Sequence, residues 1–337
     1  MTTIADYVKL VNRYMDEDLT DGLPVIPPYR ELIAEMVEAS GLPANHVLGI
    51  VPPRNVELTV ETAAINAVMA GCLPEYMPVV IAMLEAVLEK EFNLVWPSTT
   101  TKGVAIMVIV NGPIRKKIKL NCQGNVFGPG FRANATIGRT LRLIINNVGG
   151  AKSQILDKSV FGHMGKYTYV IGEDEENSPF TPLHVDRGFK PEDSTVTVLA
   201  LDAPKMVVDF SPAGETVLRA IADVASPLVN VGFGGKDGEM VVLLGPEHRA
   251  TLVAEGWTKE QIRQFLFEHI GRKVSDFKAA KRNLPFTKGD DEFIRAYKSP
   301  EYINIVCAGG GAGRISAVCD GSVPEKFTKS QTKKIRI

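Results

Sequence analysis

No apolar run in this chain is long enough to cross a bilayer. The most apolar stretch, from Met77 to Leu88, extends for about twelve residues and carries Glu85, where a spanning helix needs about twenty. The opening MTTIADYVKLVNRYMDED has no cationic region followed by an apolar core, so it does not read as a secretory signal. Cysteine is scarce. Cys72, Cys122, Cys307 and Cys319 show neither C-x-x-C pairing nor the dense spacing of a secreted scaffold. Free thiols in a reducing compartment are expected, and with them a cytoplasmic location. A surplus of charge is missing too: Lys plus Arg number 38 and Asp plus Glu 39, for a net charge of −1. With no basic surplus to displace counterions, nucleic acid is not an expected partner, nor is a membrane. The five histidines form no H-x-x-x-H, H-E-x-x-H or Cys/His cluster, so no metal site is expected.

What is present is an ordinary globular composition, 45% apolar and 23% charged over 337 residues. That length suits about two domains or one large α/β unit, able to bury its core without staples. Helical periodicity covers 5–17, 29–40, 59–70 and 74–90, with Pro28 and Pro74 as first helical residues. Between the first two, DGLPVIPP (21–28) is stiff and extended. From about residue 103 the texture changes. Apolar β-rich runs at 104–110, 166–171, 194–201, 205–210, 239–244 and 302–308 alternate with helices at 133–148, 213–225, 247–255 and 259–271. Thr258 and Gln261 have capping-box spacing. The expected fold is α/β, with a mixed or largely parallel sheet. A mainly helical portion, 1–102, precedes a sheet-centred portion, 103–337, as one unit or two. VIVNGPIR, YVIGEDEE and VVLLGPEH each run from a strand into a glycine turn, and helices before the later two end at Gly149-Gly150 and Gly234-Gly235. This suggests a duplicated helix–glycine–strand unit, although such turns recur in any α/β fold.

The strongest local signal is GNVFGPGFRANATIGR, 124–139. Gly124, Gly128 and Gly130 let a backbone approach a ligand. Asn134 or Thr136 can cap the following helix, and Arg132 and Arg139 flank its start, which makes an anion site. No Walker or dinucleotide pattern is present. The alternative is a structural loop whose arginines pair with acidic neighbours. Cys72, before Pro74, is the nucleophile candidate, since a helix N-terminus stabilises a thiolate. Cys122 is second, Cys307 belongs to a core strand, and Cys319 carries little. His248, in GPEHRA beside Glu247, follows a strand and suits acid–base work. His163 ranks next, while His46, His184 and His269 are incidental. EDEEN (173–177) reads as a solvated acidic turn. In CAGGGAGR (307–314), Gly310 and its neighbours can touch a ligand through the backbone.

Four strings, DGLPVIPP (21–28), INAVMAGCLPEYMPVVIA (65–82), NVFGPGFRANATIGRTLRLIINNVGG (125–150) and GPEHRATLVAEGWTKEQIR (245–263), resemble a poorly characterised prokaryotic family associated with UGSC-type thiol/selenol proteins. The resemblance extends over residues 20–315. Neither CGSC nor selenocysteine occurs, so the chain stands as a companion of that group. The resemblance implies thiol chemistry or a small-molecule catabolic step, and it fixes no residue.

The function expected from these residues is an enzyme acting on a small anionic metabolite by hydrolysis or elimination. Gly128, Gly130, Arg132, Asn134, Arg139 and Gly310 bind the substrate. His248 with Glu247 is the acid–base, and Cys72 is the nucleophile or a polar support. No cofactor can be named. The alternatives are a non-catalytic metabolite-binding or accessory subunit and a thiol-exchange redox partner. Near-neutral charge and apolar helices favour a homo-oligomer.

Overall fold

The computed structural model describes residues 3–226, 238–282, 289–321 and 327–336. The Gly234-Gly235 pair of the internal echo lies outside them. Helix α1 (Ile4–Asp16) starts on a capping box, Thr3 and Asp6 each accepting the other's backbone N–H. The 21–28 segment then runs extended into α2 (Arg30–Ser40). Pro28 does not open that helix, because Tyr29 N–H turns back to the Pro27 carbonyl and Tyr29 itself stays extended. A hairpin follows that the sequence periodicity did not reveal: β1 (Val47–Val51) pairs antiparallel with β2 (Val56–Thr59). Thr59 caps α3 (Val60–Ala70). A tight turn at Pro74–Tyr76 leads into α4 (Met77–Val87). This is the chain's most apolar stretch, and nearly all of it is buried, as befits a helix apolar all round. Among the described residues no helix is long and apolar enough to cross a membrane.

The short helix α5 (Val95–Thr99) precedes β3 (Ala105–Asn111), α6 (Ile114–Lys117), α7 (Arg132–Asn147), β4 (Val170–Gly172) and α8 (Leu183–Asp186). Then come β5 (Thr195–Leu201), β6 (Lys205–Val208), α9 (Gly214–Val224), β7 (Met240–Leu244), α10 (Pro246–Ala254) and α11 (Lys259–His269). Thr258 and Gln261 form the expected capping box. The small strands β8 (Gly271–Lys273) and β9 (Phe293–Arg295) pair around α12 (Val274–Ala279). The last elements are β10 (Ile303–Cys307), β11 (Ile315–Asp320) and β12 (Gln331–Lys334).

The larger strands form two four-stranded sheets, ordered β12-β5-β3-β4 and β10-β7-β11-β6. Each has one parallel pair, β3 with β4 and β7 with β10, and two antiparallel pairs. Both are therefore mixed, and from the parallel pair outward the pairing order is the same. The last strand of each series changes sheet: β6 follows β5 but joins the second sheet, and β12 follows β11 but joins the first.

The pleat sends alternate residues to opposite faces. Ile106, Val108 and Val110 of β3 share a core with residues of α3, α4 and α7. Ala105, Met107 and Ile109 instead meet Val241 and Leu243 of β7 and Ala317 of β11. On the far side Met240, Val242 and Leu244 pack with Val217 of α9 and Leu266 of α11. The result is four layers: helices, sheet, sheet, helices. Central strands covered on both faces explain why 105–110 and 240–244 are continuously apolar, with each fully buried Val, Leu or Ile contributing about 1.5–3 kcal/mol. The 3–102 segment is built into the first core, where Val60 and Val80 join Val198 and Ile335.

Candidate functional site

The glycine loop and its two arginines serve different places. Arg132 is exposed and is the first residue of α7, earlier than a cap at Asn134 or Thr136 would set it. Its Nε donates to the Gly71 carbonyl at 2.9 Å. Asn134 is buried, and its amide acts as a clip: Oδ1 accepts from Asn121 N–H, and Nδ2 donates to the Asn121 and Val170 carbonyls. Thr136 bonds back to the Arg132 carbonyl. Gly130 turns the chain at φ +115° with open space around it.

Cys72 lies under α7, its Sγ 3.2 Å from Thr140 Oγ1. Burial pushes this thiol up, and the bonds to Thr140 and Thr136 and the charge of Arg132 recover less than burial removes. The helix after it begins as a single tight turn, so little dipole is available to stabilise a thiolate. Burial raises the other three thiols too, Cys319 to about 12.

Gly124 and Gly128 do reach a cavity, of about 370 Å³, shared with Gly245, Gly309, Gly310 and Gly313. Val126, Phe127, Met206 and Leu243 wall it. A Cβ on Gly310 would lie 2.8 Å from the Gly124 Cα, so here two loops touch backbone to backbone. Glu247 holds one of them by accepting from Gly313 N–H at 3.2 Å. His248 is fully buried: Nδ1 is 2.8 Å from Ser316 Oγ, and Nε2 is 2.9 Å from the Asp209 carbonyl. A carbonyl only accepts, so Nε2 donates to Asp209, and Nδ1 faces the Ser316 hydroxyl, which also accepts from Gly245 N–H. Ser316 lines the cavity, whereas His248 itself does not. The pleat sets the Ser316 side chain beside Val207 and Val318, and Ala317 beside Leu243 on the other face, yet 315–317 all reach the cavity at this strand end.

The EDEEN segment is a solvated turn only at its end, where Glu176 and Asn177 are exposed. Glu173 and Asp174 are buried just after β4, where their N–H groups donate to the Val110 carbonyl of β3 and the Cys307 carbonyl of β10. Arg115, 2% exposed, pairs with Glu175 at 2.9 Å and Glu176 at 3.0 Å, and Arg249 approaches Asp174 at 3.3 Å. Asn111 Nδ2 donates to Glu173 and Glu175. The arginines balance the carboxylates, which lets Glu173 and Asp174 be buried. Among the described residues no cluster of three or more His, Cys, Asp or Glu side chains could hold a metal.

A second, polar cavity of about 590 Å³ lies among residues 18–22, the face of α7 and the 152–167 loop. Arg142 and Lys166 line it and share one carboxylate. Lys166 Nζ is 2.6 and 2.7 Å from the Asp157 oxygens and 2.6 Å from Ser159 Oγ. Arg142 NH1 is 3.5 Å from Asp157 and 3.3 Å from Asn146 Oδ1. Burial pulls the Arg142 guanidinium and the Lys166 amine below their ordinary values. Burial alone would raise Asp157, but the bonds from Lys166 and Ser159 outweigh it and hold the carboxylate below its usual range. Burial also lowers His163, whose Nδ1 accepts from Gly165 N–H. Across the cavity Lys152 pairs with Asp18.

Arg139 supports this cavity from behind. Its guanidinium grips both oxygens of Asp21, a lining residue, and donates to the Leu23 and Pro24 carbonyls. The extended DGLPVIPP segment is thereby pinned to α7. Neither Cys72 nor His248 lines the polar cavity. Sequence reasoning missed Arg142, Lys166, Asp157 and Asp21. The available signal was Arg142 one helical turn beyond Arg139, on the side of α7 that carries Asn146.

Comparison of the chain with family models, with curated proteins and with solved structures returns no match.

Proposed function

We propose that this chain is an enzyme acting on a small anionic metabolite by hydrolysis or elimination, and that the anion sits in the polar cavity against Arg142 and Lys166. The observation that carries this reading is the state of Arg142. Among the described residues, Arg115 and Arg139 are tied to carboxylates at 3.0 Å or less. Arg142 faces the roomier of the two cavities with its nearest carboxylate oxygen 3.5 Å away. A guanidinium presents five N–H donors in a planar fork that matches carboxylate or phosphate. Arg139 is then a positioning residue that fixes the Asp21 wall. Lys166, with Asp157 and Ser159, is the candidate to move the proton that either reaction class requires.

One observation favours a non-catalytic binding or accessory role instead. The Lys166 amine already has three partners, two oxygens of Asp157 and one of Ser159, a closed set suited to holding charge. A panel of small carboxylates and phosphates, followed by thermal shift and by NMR for turnover, separates the two. Stabilisation and turnover that both disappear in Arg142→Gln support the enzyme. Arg142-dependent binding without turnover supports the accessory role. No stabilisation by any anion removes both.

The association with UGSC-type proteins is compatible with such a metabolic step. The same proposal treats 1–102 and 103–337 as one unit, and the matching pairing order of the two sheets as the trace of an internal duplication.

A further inference from the structure

We infer that the ligand of the polar cavity is an amphiphilic carboxylate, an anionic head bearing an apolar body of several carbons that rests on Phe161, Met164 and Tyr167. This rests on the anion-binding reading of that cavity and goes beyond it by naming the substrate class. The cavity has two chemically different ends. Its floor holds Arg142, Lys166 and Asp157, all largely buried. Its mouth holds Phe161, 97% exposed, Met164, 79% exposed, and Tyr167, all three of which line the cavity together with the charged floor. Two large apolar side chains left almost wholly in water within four residues mark a surface that is covered in the working state.

Volume points the same way. A carboxylate head takes up about as much space as one or two waters, each roughly 30 Å³. The cavity is about 590 Å³, so a head seated on Arg142 leaves most of it for a body. The local chain fixes where that body goes. Gly162 turns at φ +65° just after Phe161. His163 Nδ1 accepts Gly165 N–H and closes the next turn. Phe161 and Met164 therefore stand on a defined loop at the rim.

The test measures dissociation constants for acetate, butyrate, hexanoate and octanoate, by thermal shift and calorimetry. It compares the unmodified chain, the double variant Phe161→Ser with Met164→Ser, and Arg142→Gln. Both mouth side chains are exposed, so the double variant should fold. In the unmodified chain we expect affinity to rise about twofold to fourfold per methylene, the upper figure corresponding to full burial of a CH₂. The double variant should lose most of that gradient and still bind the shortest acids. Arg142→Gln should weaken every member at least tenfold. A flat series in the unmodified chain, or an unchanged gradient in the double variant, overturns the amphiphile while Arg142-dependent binding keeps the anion site. Binding that ignores Arg142 overturns the anion site itself. If sedimentation shows that the double variant turns a dimer into monomers and leaves the gradient intact, these side chains cover a second copy of the chain, and the inference is wrong.

Discussion

Arg139 and Asp21, 118 positions apart in sequence, meet through two bonds of 2.8 Å each. The carboxylate is almost fully buried and the guanidinium largely so. Removing one partner of such a pair strands the other, at a cost of about 3–5 kcal/mol. Arg139→Ala should therefore lower unfolding stability by about 3 kcal/mol, read from urea titration. Arg139→Lys should recover only part, because an ammonium cannot supply the planar fork. A loss below about 0.5 kcal/mol in Arg139→Ala, the range of an inert surface change, would show that the 21–28 segment is held by something else.

Two neighbouring glutamates should respond to pH in opposite directions. Burial raises Glu176, but Arg115 and Lys116 outweigh it and bring the group to about 2. Its folded value lies below the ordinary 4.5, so its stabilisation is complete above pH 4.5 and drains away as pH falls toward 2. The side chain is more than a third exposed, so the effect is modest. Glu176→Gln should flatten the stability profile over that interval. Glu173 is raised by burial above 4.5, so the penalty for its charge grows as pH climbs through the raised value. Glu173→Gln keeps an acceptor for Leu183 N–H and Asn111 Nδ2. It should be more stable than the parent at pH 8 and indistinguishable at pH 4. A less stable variant at pH 8 would mean that the charge itself is needed.

The thiols should be slow. Cys72, Cys307 and Cys319 are buried and Cys122 is half-buried, and burial raises all four. With a disulfide reagent at pH 7, Cys122 should react first and the rest only as fast as the protein opens, while in urea all four should react at once. Rapid labelling of Cys72 at pH 6–7 would restore it as a nucleophile.

The glycine contact between the loops can be probed by Gly310→Ala. The added carbon would sit 2.8 Å from the Gly124 Cα, and backbone cannot yield as a side chain does. A loss of about 1–3 kcal/mol is expected. An unchanged melting temperature would show that the loops separate freely.

Six of the twelve strands among the described residues were legible, because they are apolar runs with turn residues at their ends. The run at 104–110 became β3 (Ala105–Asn111), and 302–308 became β10 (Ile303–Cys307), each within a residue or two. The run at 166–171 shrank to Val170–Gly172 because Met164–Lys166 tightens into a turn around His163. The β1–β2 hairpin was missed because its strands are largely exposed and show no apolar period. At the site, sequence finds the residue types but not their partners. Arg139 looked free because Asp21 lies 118 positions earlier. Asn134 looked like a cap because its clip on Asn121 depends on two segments folding side by side. Arg142 looked like one more basic residue on an amphipathic helix, and only the returning loop that carries Asp157 and Lys166 gives it a cavity.

The exchange of last strands between the sheets sets an order of assembly. Thr197 in β5 finds Thr332 in β12 only across 135 positions. Until that segment arrives, β5 offers an unpaired edge, although β3 and β4 beside it are already available. Contacts of such sequence separation form slowly, and a bare strand edge is a template for whatever strand reaches it first. A nascent or truncated chain ending before residue 331 would therefore be expected to self-associate through β5, and chaperone engagement should fall away only once the closing strand has been made.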